Sequence, residues 1–296
     1  MLERSLIQQE RILSQEKGLT CFEGRDETLP IVSFGQTKPY QSFVECCDTC
    51  RRFRYVAVCY GPAGVGKTIA ARWYANWDEI EPLLMRRGVR MPTDGMELPH
   101  PRVALYSPRT AIKPKQIEND VALLMWSLEN LGKVSLTQHL EASLAGETVV
   151  SEGLELLIID NVHRLDVQCM DVVQDIYDRY RIGVVLLGSE VLAEKHLKRL
   201  EHLRVRVGDV RPFGVLSRKE VFEMLPRMLL GLNLDFQAEQ GLSLEQLTDD
   251  IHHATNGNVS LMRQFLTQIV IVLQEKKTAV VTESIVQRAY AKLRMQ

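Results

Sequence analysis

The chain has 296 residues, of which 45% are hydrophobic, and its 36 Lys plus Arg nearly balance 38 Asp plus Glu. This length and composition exclude disordered and disulfide-scaffold proteins and fit one large or two modest domains that need neither disulfides nor metals to fold. The formal net charge of -2 provides no global positive field, so any nucleic-acid partner must be bound by a local basic patch.

The location of the protein is predicted from its apolar runs and its cysteines. No apolar run approaches the roughly 20 residues that span a bilayer, and the polar N-terminal residues do not resemble a signal peptide. The 6 Cys residues follow no disulfide framework, which is typical of a reducing compartment. We therefore expect a cytoplasmic protein that has no membrane partner.

Hydrophobic patterns divide the chain into three segments. Residues 1–30 are predicted to form a polar arm, with a helix over Met1 to Lys17. Residues 31–211 alternate β-rich runs with helical patterns, which is typical of a parallel sheet with helical crossovers. Residues 212–296 show helical patterns only, so we expect an α/β domain followed by a small all-α domain.

Five strands are predicted in the second segment. Four are nearly continuous in Val, Ile, Leu and Ala, as expected for strands that helices cover on both faces. The last alternates Arg204 and Arg206 with apolar residues, which indicates an edge strand with one wetter face. The predicted strands are Tyr55–Tyr60, Arg102–Ser107, Leu154–Ile159, Ile182–Gly188 and Leu203–Val207.

A phosphate-binding motif follows the first predicted strand. Residues 61–68 match Gly-x-x-x-x-Gly-Lys-Ser/Thr, and a helical pattern follows them. Its glycines let consecutive N–H groups point into one concavity, and the N-terminus of the next helix favours negative charge. Lys67 is predicted to reach the β- and γ-phosphates, and Thr68 to be a ligand of Mg²⁺. The predicted nucleotide-binding residues are Gly61, Pro62, Ala63, Gly64, Val65, Gly66, Lys67 and Thr68.

An acidic residue follows the third predicted strand. Asp160 lies at its carboxyl end, where open α/β sheets bind ligands, and is predicted to hold Mg²⁺ next to Thr68; the alternative is an Asp that only starts a turn. The next residue, Asn161, is uncharged and cannot accept a proton from water, although it can orient that water. Loss of a general base lowers a rate roughly 10²- to 10⁴-fold, so we expect slow hydrolysis or none.

The helical tail contains two capping boxes and one strongly apolar helix. Met262 to Gln274 is apolar on most sides, which indicates a buried helix. The capping boxes, which predict two helix N-termini, are Ser217 with Glu220 and Ser243 with Gln246.

Together these motifs resemble the AAA+ ATPases. The resemblance depends on Gly61 to Thr68, Leu157 to Asp160, the strand end Gly188-Ser189-Glu190 and the helical tail, and it covers about residues 31–296. It implies a P-loop fold with a parallel five-stranded sheet in the order 5-1-4-3-2, a small all-α lid domain, and ATP with Mg²⁺ as cofactors. Ser189 matches the sensor 1 position, which contacts the γ-phosphate; a simple turn Ser is the alternative.

Two stretches make the resemblance to AAA+ ATPases more specific. Leu157 to Leu165 and Asn256 to Ile269 are similar to TnsC, TniB and MuB, the regulator ATPases of DNA transposition. This implies that ATP-bound subunits form a homo-oligomeric ring or filament on duplex DNA and mark a target site. A transposase, with or without a targeting adaptor protein, is then the implied partner.

The resemblance also implies two arginines that contact nucleotide. One precedes the fifth strand and reaches the γ-phosphate of a neighbouring subunit, and Arg199 is its first candidate. Rival candidates are Lys198, Arg204 and Arg206, and a solvated charge run is the alternative for each. Arg263 matches sensor 2 in the lid, although its spacing is slightly unusual, and a surface Arg is the alternative.

Two polar stretches, 107–115 and 131–137, match the loops that line the central hole in that family. Their basic and hydroxyl groups would contact phosphates without reading sequence. Such contacts are weak and salt-sensitive in one subunit, so polymerisation is the expected source of affinity; a solvated basic loop is the alternative. The predicted DNA-contacting residues are Arg109, Thr110, Lys113, Lys115, Lys133, Ser135 and Thr137.

The cysteine cluster at 46–50 invites a metal-site interpretation. It lacks a second pair of ligands at suitable spacing, whereas a structural zinc site needs four. We predict instead a helix in which Cys46 and Cys50 face inward.

Two other functions stay open beside transposition. A helicase-loader type of AAA+ protein would bind a replicative helicase and single strands. A signalling switch NTPase would act without nucleic acid.

Overall fold

The computed structural model describes residues 34–85, 102–108, 110–129, 131, 153–190, 204–232, 242–278 and 280–294. The predicted arm lies outside these residues, as do five predicted site residues and one rival: Arg109, Lys133, Ser135, Thr137, Arg199 and Lys198. Within the described ranges, a parallel sheet flanked by helices precedes a tail of helices alone.

The elements are labelled in chain order. Before the tail they are α1 (Lys38–Phe53), β1 (Val56–Tyr60), α2 (Lys67–Tyr74), α3 (Trp77–Met85), β2 (Val103–Tyr106), α4 (Pro114–Glu129), β3 (Leu156–Ile159), a 3₁₀ helix (Val162–Arg164), α5 (Val167–Tyr180), β4 (Gly183–Gly188) and β5 (Val207–Pro212). The tail contains α6 (Arg218–Gly231), α7 (Leu244–Thr255), α8 (Val259–Lys276) and α9 (Glu283–Arg294).

The sheet has the order β2-β3-β4-β1-β5, and all its pairs are parallel. Read from the other edge this is 5-1-4-3-2, so the predicted fold class and strand order are confirmed. All residues of β3 and β4 are buried, as predicted for strands covered on both faces. The carboxyl ends of β1, β3 and β4 therefore lie side by side at one edge of the sheet, where the candidate site lies.

The predicted position of the fifth strand was wrong, although its edge location is correct. The strand is Val207–Pro212 instead of Leu203–Val207, and it pairs with β1. Hydrogen bonds fix this position, because the Val56 amide donates to the Arg206 carbonyl at 2.9 Å and the Phe213 amide donates to the Tyr60 carbonyl at 2.7 Å. Gly and Pro made the true strand look unfavourable in the sequence, yet an edge strand tolerates Pro.

The tail is built on the predicted helix starts. Both capping boxes are present, at the N-termini of α6 and α7. Helix α8 buries an apolar face at positions 259, 262, 265, 266 and 269, and the Phe265 ring meets Tyr290 of α9 edge-on at 6.3 Å between centroids. The helix predicted from the apolar pattern is therefore present, but only one face of it is buried, and Ile271 on the other face is exposed.

The cysteine cluster lies on the buried face of α1. Cys46 and Cys50 are buried, as predicted, and Cys47, for which no prediction was made, is buried as well. Burial raises the pKa of the Cys46 and Cys50 thiols to about 12. Among the described residues there is no group of three or more His, Cys, Asp and Glu side chains that could hold a metal ion. The same part of the chain contains no helix that is long and apolar enough to cross a membrane.

Candidate nucleotide-binding site

The phosphate loop connects β1 to α2, as the motif requires. Gly64 and Gly66 have φ values of 79° and 102°, in the left-handed region that favours glycine. A Cβ on Gly66 would lie 2.7 Å from the ring of Phe34, which is itself buried. The backbone can therefore curl tightly over the N-terminus of α2 only because these positions have no side chain.

Lys67 folds back over this loop. Its ammonium donates to the carbonyl oxygens of Gly61 at 2.8 Å and Pro62 at 2.6 Å. Burial lowers its pKa, while the Asp160 carboxylate acts in the opposite direction. The side chain lies in the cleft where the motif would place phosphate groups, so phosphate oxygens can replace these carbonyls as its partners.

Thr68 and Asp160 come together although they are far apart in the sequence. The Thr68 hydroxyl donates to Oδ2 of Asp160 at 2.7 Å. Asp160 is only 2% exposed, and its Oδ1 accepts the backbone amide of Asn161 at 2.8 Å. A hydroxyl next to a carboxylate, beside a phosphate-binding loop, is an oxygen donor set suited to Mg²⁺.

The side chain of Asn161 is held in place by hydrogen bonds that its amide group donates. Its backbone is left-handed, with a φ of 55°, and its Nδ2 donates to the Ser107 hydroxyl at 3.0 Å and to Asp160 Oδ2 at 3.2 Å. Asn161 therefore connects the end of β3 to the loop that follows β2. It also lines the cleft described next, without providing a basic group there.

A cleft of about 320 Å³ is lined by six of the eight predicted nucleotide-binding residues, while Pro62 and Val65 are not part of its wall. Ser189, predicted as sensor 1, lies on its wall, whereas Arg263, predicted as sensor 2, does not. His163 and Ser260 also line it, and the sequence reasoning had missed both. The lining residues are Gly61, Ala63, Gly64, Gly66, Lys67, Thr68, Ile69, Asp160, Asn161, His163, Gly188, Ser189 and Ser260.

The helical tail contacts the phosphate loop directly. Asn258 donates through Nδ2 to the Ala63 carbonyl at 2.8 Å, and the Ser260 amide donates to the Gly64 carbonyl at 2.9 Å. These contacts were absent from the sequence-based prediction, because nothing in a local pattern shows which distant backbone groups a helix start will meet.

The candidate arginines near the fifth strand differ in their surroundings. Arg206 pairs with Asp178 through two hydrogen bonds, at 2.9 Å from Nε and 2.8 Å from a terminal nitrogen. This ion pair raises the pKa of Arg206 and fixes its guanidinium on its own subunit. Arg204 is exposed at the start of the turn that precedes β5.

Three of the predicted DNA-contacting residues can be placed. Thr110, Lys113 and Lys115 are exposed, in the loop after β2 and in the first turn of α4. The loop is held in place by a hydrogen bond, because the Arg164 guanidinium donates to the Pro108 carbonyl at 2.6 Å. The 3₁₀ helix that contains Arg164 directly follows Asp160 and Asn161, so the basic loop and the cleft share one support.

Comparisons with known proteins agree with this site. Residues 51–196, which include the phosphate loop, Asp160 and Ser189, match the family model of an AAA domain. A "Potential ATP-binding protein" of Staphylococcus aureus is 29% identical over 242 residues, which are 80% of this chain and 88% of that protein. These residues thus resemble an AAA domain, and the two similarities support ATP binding.

Solved structures of low sequence identity share the fold. RuvB of Thermotoga maritima, described as a Holliday junction branch migration motor, is 14% identical with a TM-score of 0.53, over 88% of this chain and 70% of that one. Cdc6p of Pyrobaculum aerophilum is 17% identical with a TM-score of 0.55, over 92% of this chain and 70% of that one. The chain therefore has the AAA+ P-loop NTPase fold.

Proposed function

We propose that this protein is an ATP-dependent, DNA-binding AAA+ regulator of DNA transposition. In this proposal, ATP-bound subunits assemble as a ring or filament on duplex DNA, mark the target site, and recruit or activate a transposase. The proposal depends on one observation. Hydrogen bonds from Asn161 and Arg164 connect the nucleotide cleft to the exposed basic loop, so the predicted nucleotide site and the predicted DNA site rest on the same segment of the chain.

The nucleotide part of the proposal is supported by the contacts in the cleft. Lys67 provides a cation, the loop amides provide donors, and Ser189 provides a hydroxyl at the end of β4. Thr68 and Asp160 would hold Mg²⁺, which when bound neutralises developing charge on the phosphates. Asn161 would orient water without accepting its proton, so ATP would act mainly as a conformational ligand.

The DNA part of the proposal is supported by exposed lysine side chains, which can contact phosphates and do not read the base sequence. Lys113 and Lys115 are exposed on the loop and helix start that follow β2. RuvB, which shares the fold, is described as a branch migration motor at Holliday junctions. One subunit offers few such cations, so useful affinity requires many subunits on one duplex.

Assembly is tested by electron microscopy of the protein with duplex DNA and a non-hydrolysable ATP analogue. We expect rings or filaments only when both ligands are present, and none for Lys67→Ala. Assembly by Lys67→Ala as extensive as by the parent would refute nucleotide control.

Two further outcomes identify the alternative functions. Preference for single strands together with binding to a replicative helicase would indicate a helicase loader, whereas indifference to all DNA would indicate a signalling switch. The transposition assignment itself is tested by adding the assembled complexes to a purified transposase, whose strand-transfer yield should rise only in their presence.

A further inference from the structure

The amino edge of the sheet, opposite the nucleotide cleft, is rich in arginine. Strand β1 begins shortly after Arg52 and Arg54, β4 begins shortly after Arg181, and all three residues are exposed. The two strand starts lie side by side, because β1 pairs with β4 and parallel strands are about 4.8 Å apart. Tyr177 connects the two approaches, since its hydroxyl donates to the Arg54 carbonyl at 2.9 Å and its carbonyl accepts the Arg181 amide at 3.0 Å.

The acidic side chains at this edge pair with other arginines. Asp178 pairs with Arg206 at 2.8 Å. Glu155 pairs with Arg51 at 2.5 Å and with Arg102 at 2.9 Å. Within the described part of the chain, no acidic side chain forms an ion pair with any of the three exposed arginines. The amino edge therefore keeps positive charge on a protein whose formal net charge is -2.

An exposed aromatic ring lies between two of these arginines in the sequence. Phe53 is 64% exposed, and among the described large hydrophobic side chains only Val205 is more exposed. The Arg52 guanidinium lies 5.5 Å from the centre of the ring, within cation–π distance. Helix C-termini favour cations, which accounts for the charge at the end of α1 but not for an exposed ring beside it. The term amino-edge patch is used below for Arg52, Phe53, Arg54 and Arg181.

We propose that the amino-edge patch binds single-stranded nucleic acid. Its arginines contact phosphate oxygens, which suit planar guanidinium groups with several N–H donors. Phe53 stacks on an unpaired base, and such stacking tolerates any sequence because every base has a face that can stack. An acidic peptide would also pair with the arginines, so the exposed ring is the observation that favours a nucleic acid.

This site is separate from those of the proposed function. Lys113 and Lys115 follow β2, at the carboxyl edge of the sheet, whereas the amino-edge patch precedes β1 and β4. Arg204 precedes β5 and is not included in the patch, since it is a candidate for contact with the nucleotide of a neighbouring subunit. Binding of a single strand therefore requires neither nucleotide nor assembly on duplex DNA.

Removal of the charges tests the phosphate contacts. Fluorescence anisotropy of a short labelled single strand, as DNA and as RNA of the same sequence, measures affinity without nucleotide over a range of salt concentrations. In the triple variant Arg52→Ala, Arg54→Asn and Arg181→Asn, the slope of log affinity against log salt should fall by about two, because each contact with a single strand adds about 0.7. Asn is chosen at positions 54 and 181 because it tolerates their left-handed backbone, with φ values of 52° and 50°.

Phe53→Ala tests the stacking. Loss of one stacked base should weaken single-strand binding roughly tenfold and leave the salt slope unchanged, since no charge is removed. Phe53→Trp keeps an aromatic ring and should bind the strand at least as well as the parent. Affinity for a duplex of the same sequence should not change in Phe53→Ala, because its bases are already stacked. The exposed position makes a folding defect unlikely to follow from either replacement.

Lys113→Ala with Lys115→Ala is the matched control and should leave single-strand binding unchanged. Failure of the proposed function alone would abolish assembly on duplex DNA without affecting this binding. The proposal would be overturned if neither strand bound the parent, or if the triple variant and Phe53→Ala both bound as the parent does. Displacement of the strand by polyglutamate at an equal concentration of charges would overturn it as well, and would assign the patch to an acidic protein segment.

Discussion

In the proposed function, Asn161 would limit how far this cleft can catalyse ATP hydrolysis. Its amide group is engaged by Ser107 and Asp160, so the side chain is oriented but has no basic group. A carboxylate at the same position would be able to accept the proton of an attacking water. The identity of this single residue would therefore separate a slow nucleotide switch from an active hydrolase.

Asn161→Glu is expected to raise the steady-state rate of ATP hydrolysis at least tenfold, because a positioned general base contributes roughly 10²- to 10⁴-fold. The rate is measured by phosphate release at saturating ATP, with and without duplex DNA. Asn161→Gln is the control, since it lengthens the side chain without adding a base, and it should not accelerate hydrolysis. A parent turnover of about 1 s⁻¹, within the range of ordinary enzymes, would contradict this interpretation of Asn161.

The residues of the cleft were predictable to different degrees. Gly61 to Thr68 form one continuous motif whose chemistry is local, so the sequence alone indicates a phosphate-binding loop. Asp160 was predicted because open α/β sheets bind their ligands at the carboxyl ends of the strands. Ser260 was missed as a residue of the cleft wall, because the side chain that a helix start brings to a cleft depends on contacts distant in the sequence.

At the level of elements, Glu220 connects the helical tail to the first helix. Its Oε2 accepts the backbone amide of Ser217 at 2.7 Å, and its Oε1 accepts the backbone amide of Lys38 at 2.7 Å. Thr37, the N-cap of α1, makes no side-chain cap hydrogen bond, so Glu220 of α6 caps α1 from outside. One carboxylate thus lies at the N-termini of two helices, where negative charge is stabilising.

Glu220→Gln is expected to lower the free energy of unfolding by about 1–2 kcal/mol near pH 7, because an amide NH₂ must then face a backbone donor. Burial raises the pKa of Glu220, but the hydrogen bonds from Ser217 and Lys38 outweigh it and lower the pKa overall. The carboxylate therefore stabilises the fold above the unfolded pKa of about 4.3, and this contribution is lost as pH falls through the lower folded value.

Urea unfolding of the parent and Glu220→Gln across pH 3 to 7 measures this effect as a difference in free energy. We expect the difference to be largest near neutrality and to shrink below the unfolded pKa of about 4.3. Glu223→Gln removes the same charge from the same helix at an exposed site, 3.8 Å from Lys219, and should change stability little. A pH-independent difference for Glu220→Gln would show that the carboxylate charge contributes nothing.

The elements themselves were predicted well where their patterns were unambiguous. The strands β1, β3 and β4 are almost entirely apolar, so their existence and order follow from the sequence together with its resemblance to the AAA+ fold. For β5 the same Arg and Val alternation continued through a turn and into the strand. Hydrogen bonds to β1 determine which of these residues form the strand. Because β1 is far away in the sequence, the local pattern does not show where the strand begins.

At the scale of the whole molecule, Arg164 is in a position to couple nucleotide to DNA. It follows the Asp160 and Asn161 pair within one 3₁₀ helix and donates to the Pro108 carbonyl below the basic loop. A shift of the cleft wall on nucleotide binding would therefore move the base of this loop. Such coupling is reciprocal, so DNA must change nucleotide affinity by the same factor.

Arg164→Ala is expected to bind the ATP analogue as the parent does but to reduce its effect on DNA affinity several-fold, since couplings of this kind are typically 5- to 150-fold. DNA affinity with and without the analogue, and analogue affinity with and without DNA, are both measured, and both ratios should fall equally. Arg179→Ala is the control. Arg179 lies on the outer face of α5, and its guanidinium is 3.5 Å from the Glu118 carboxylate. Unchanged ratios in Arg164→Ala would exclude this route of coupling.

In the proposed function, DNA affinity would be a property of the assembly, because each subunit would contribute few phosphate contacts. Each Lys that neutralises a phosphate adds about one to the slope of log affinity against log salt, so Lys113→Ala with Lys115→Ala should lower that slope by about two per bound subunit. Affinity should fall alike for all duplex sequences, since phosphates are read and bases are not. Lys219→Ala removes an exposed cation from α6 and should leave the slope unchanged. An unchanged slope in the double variant would instead place the DNA-binding surface elsewhere on the molecule.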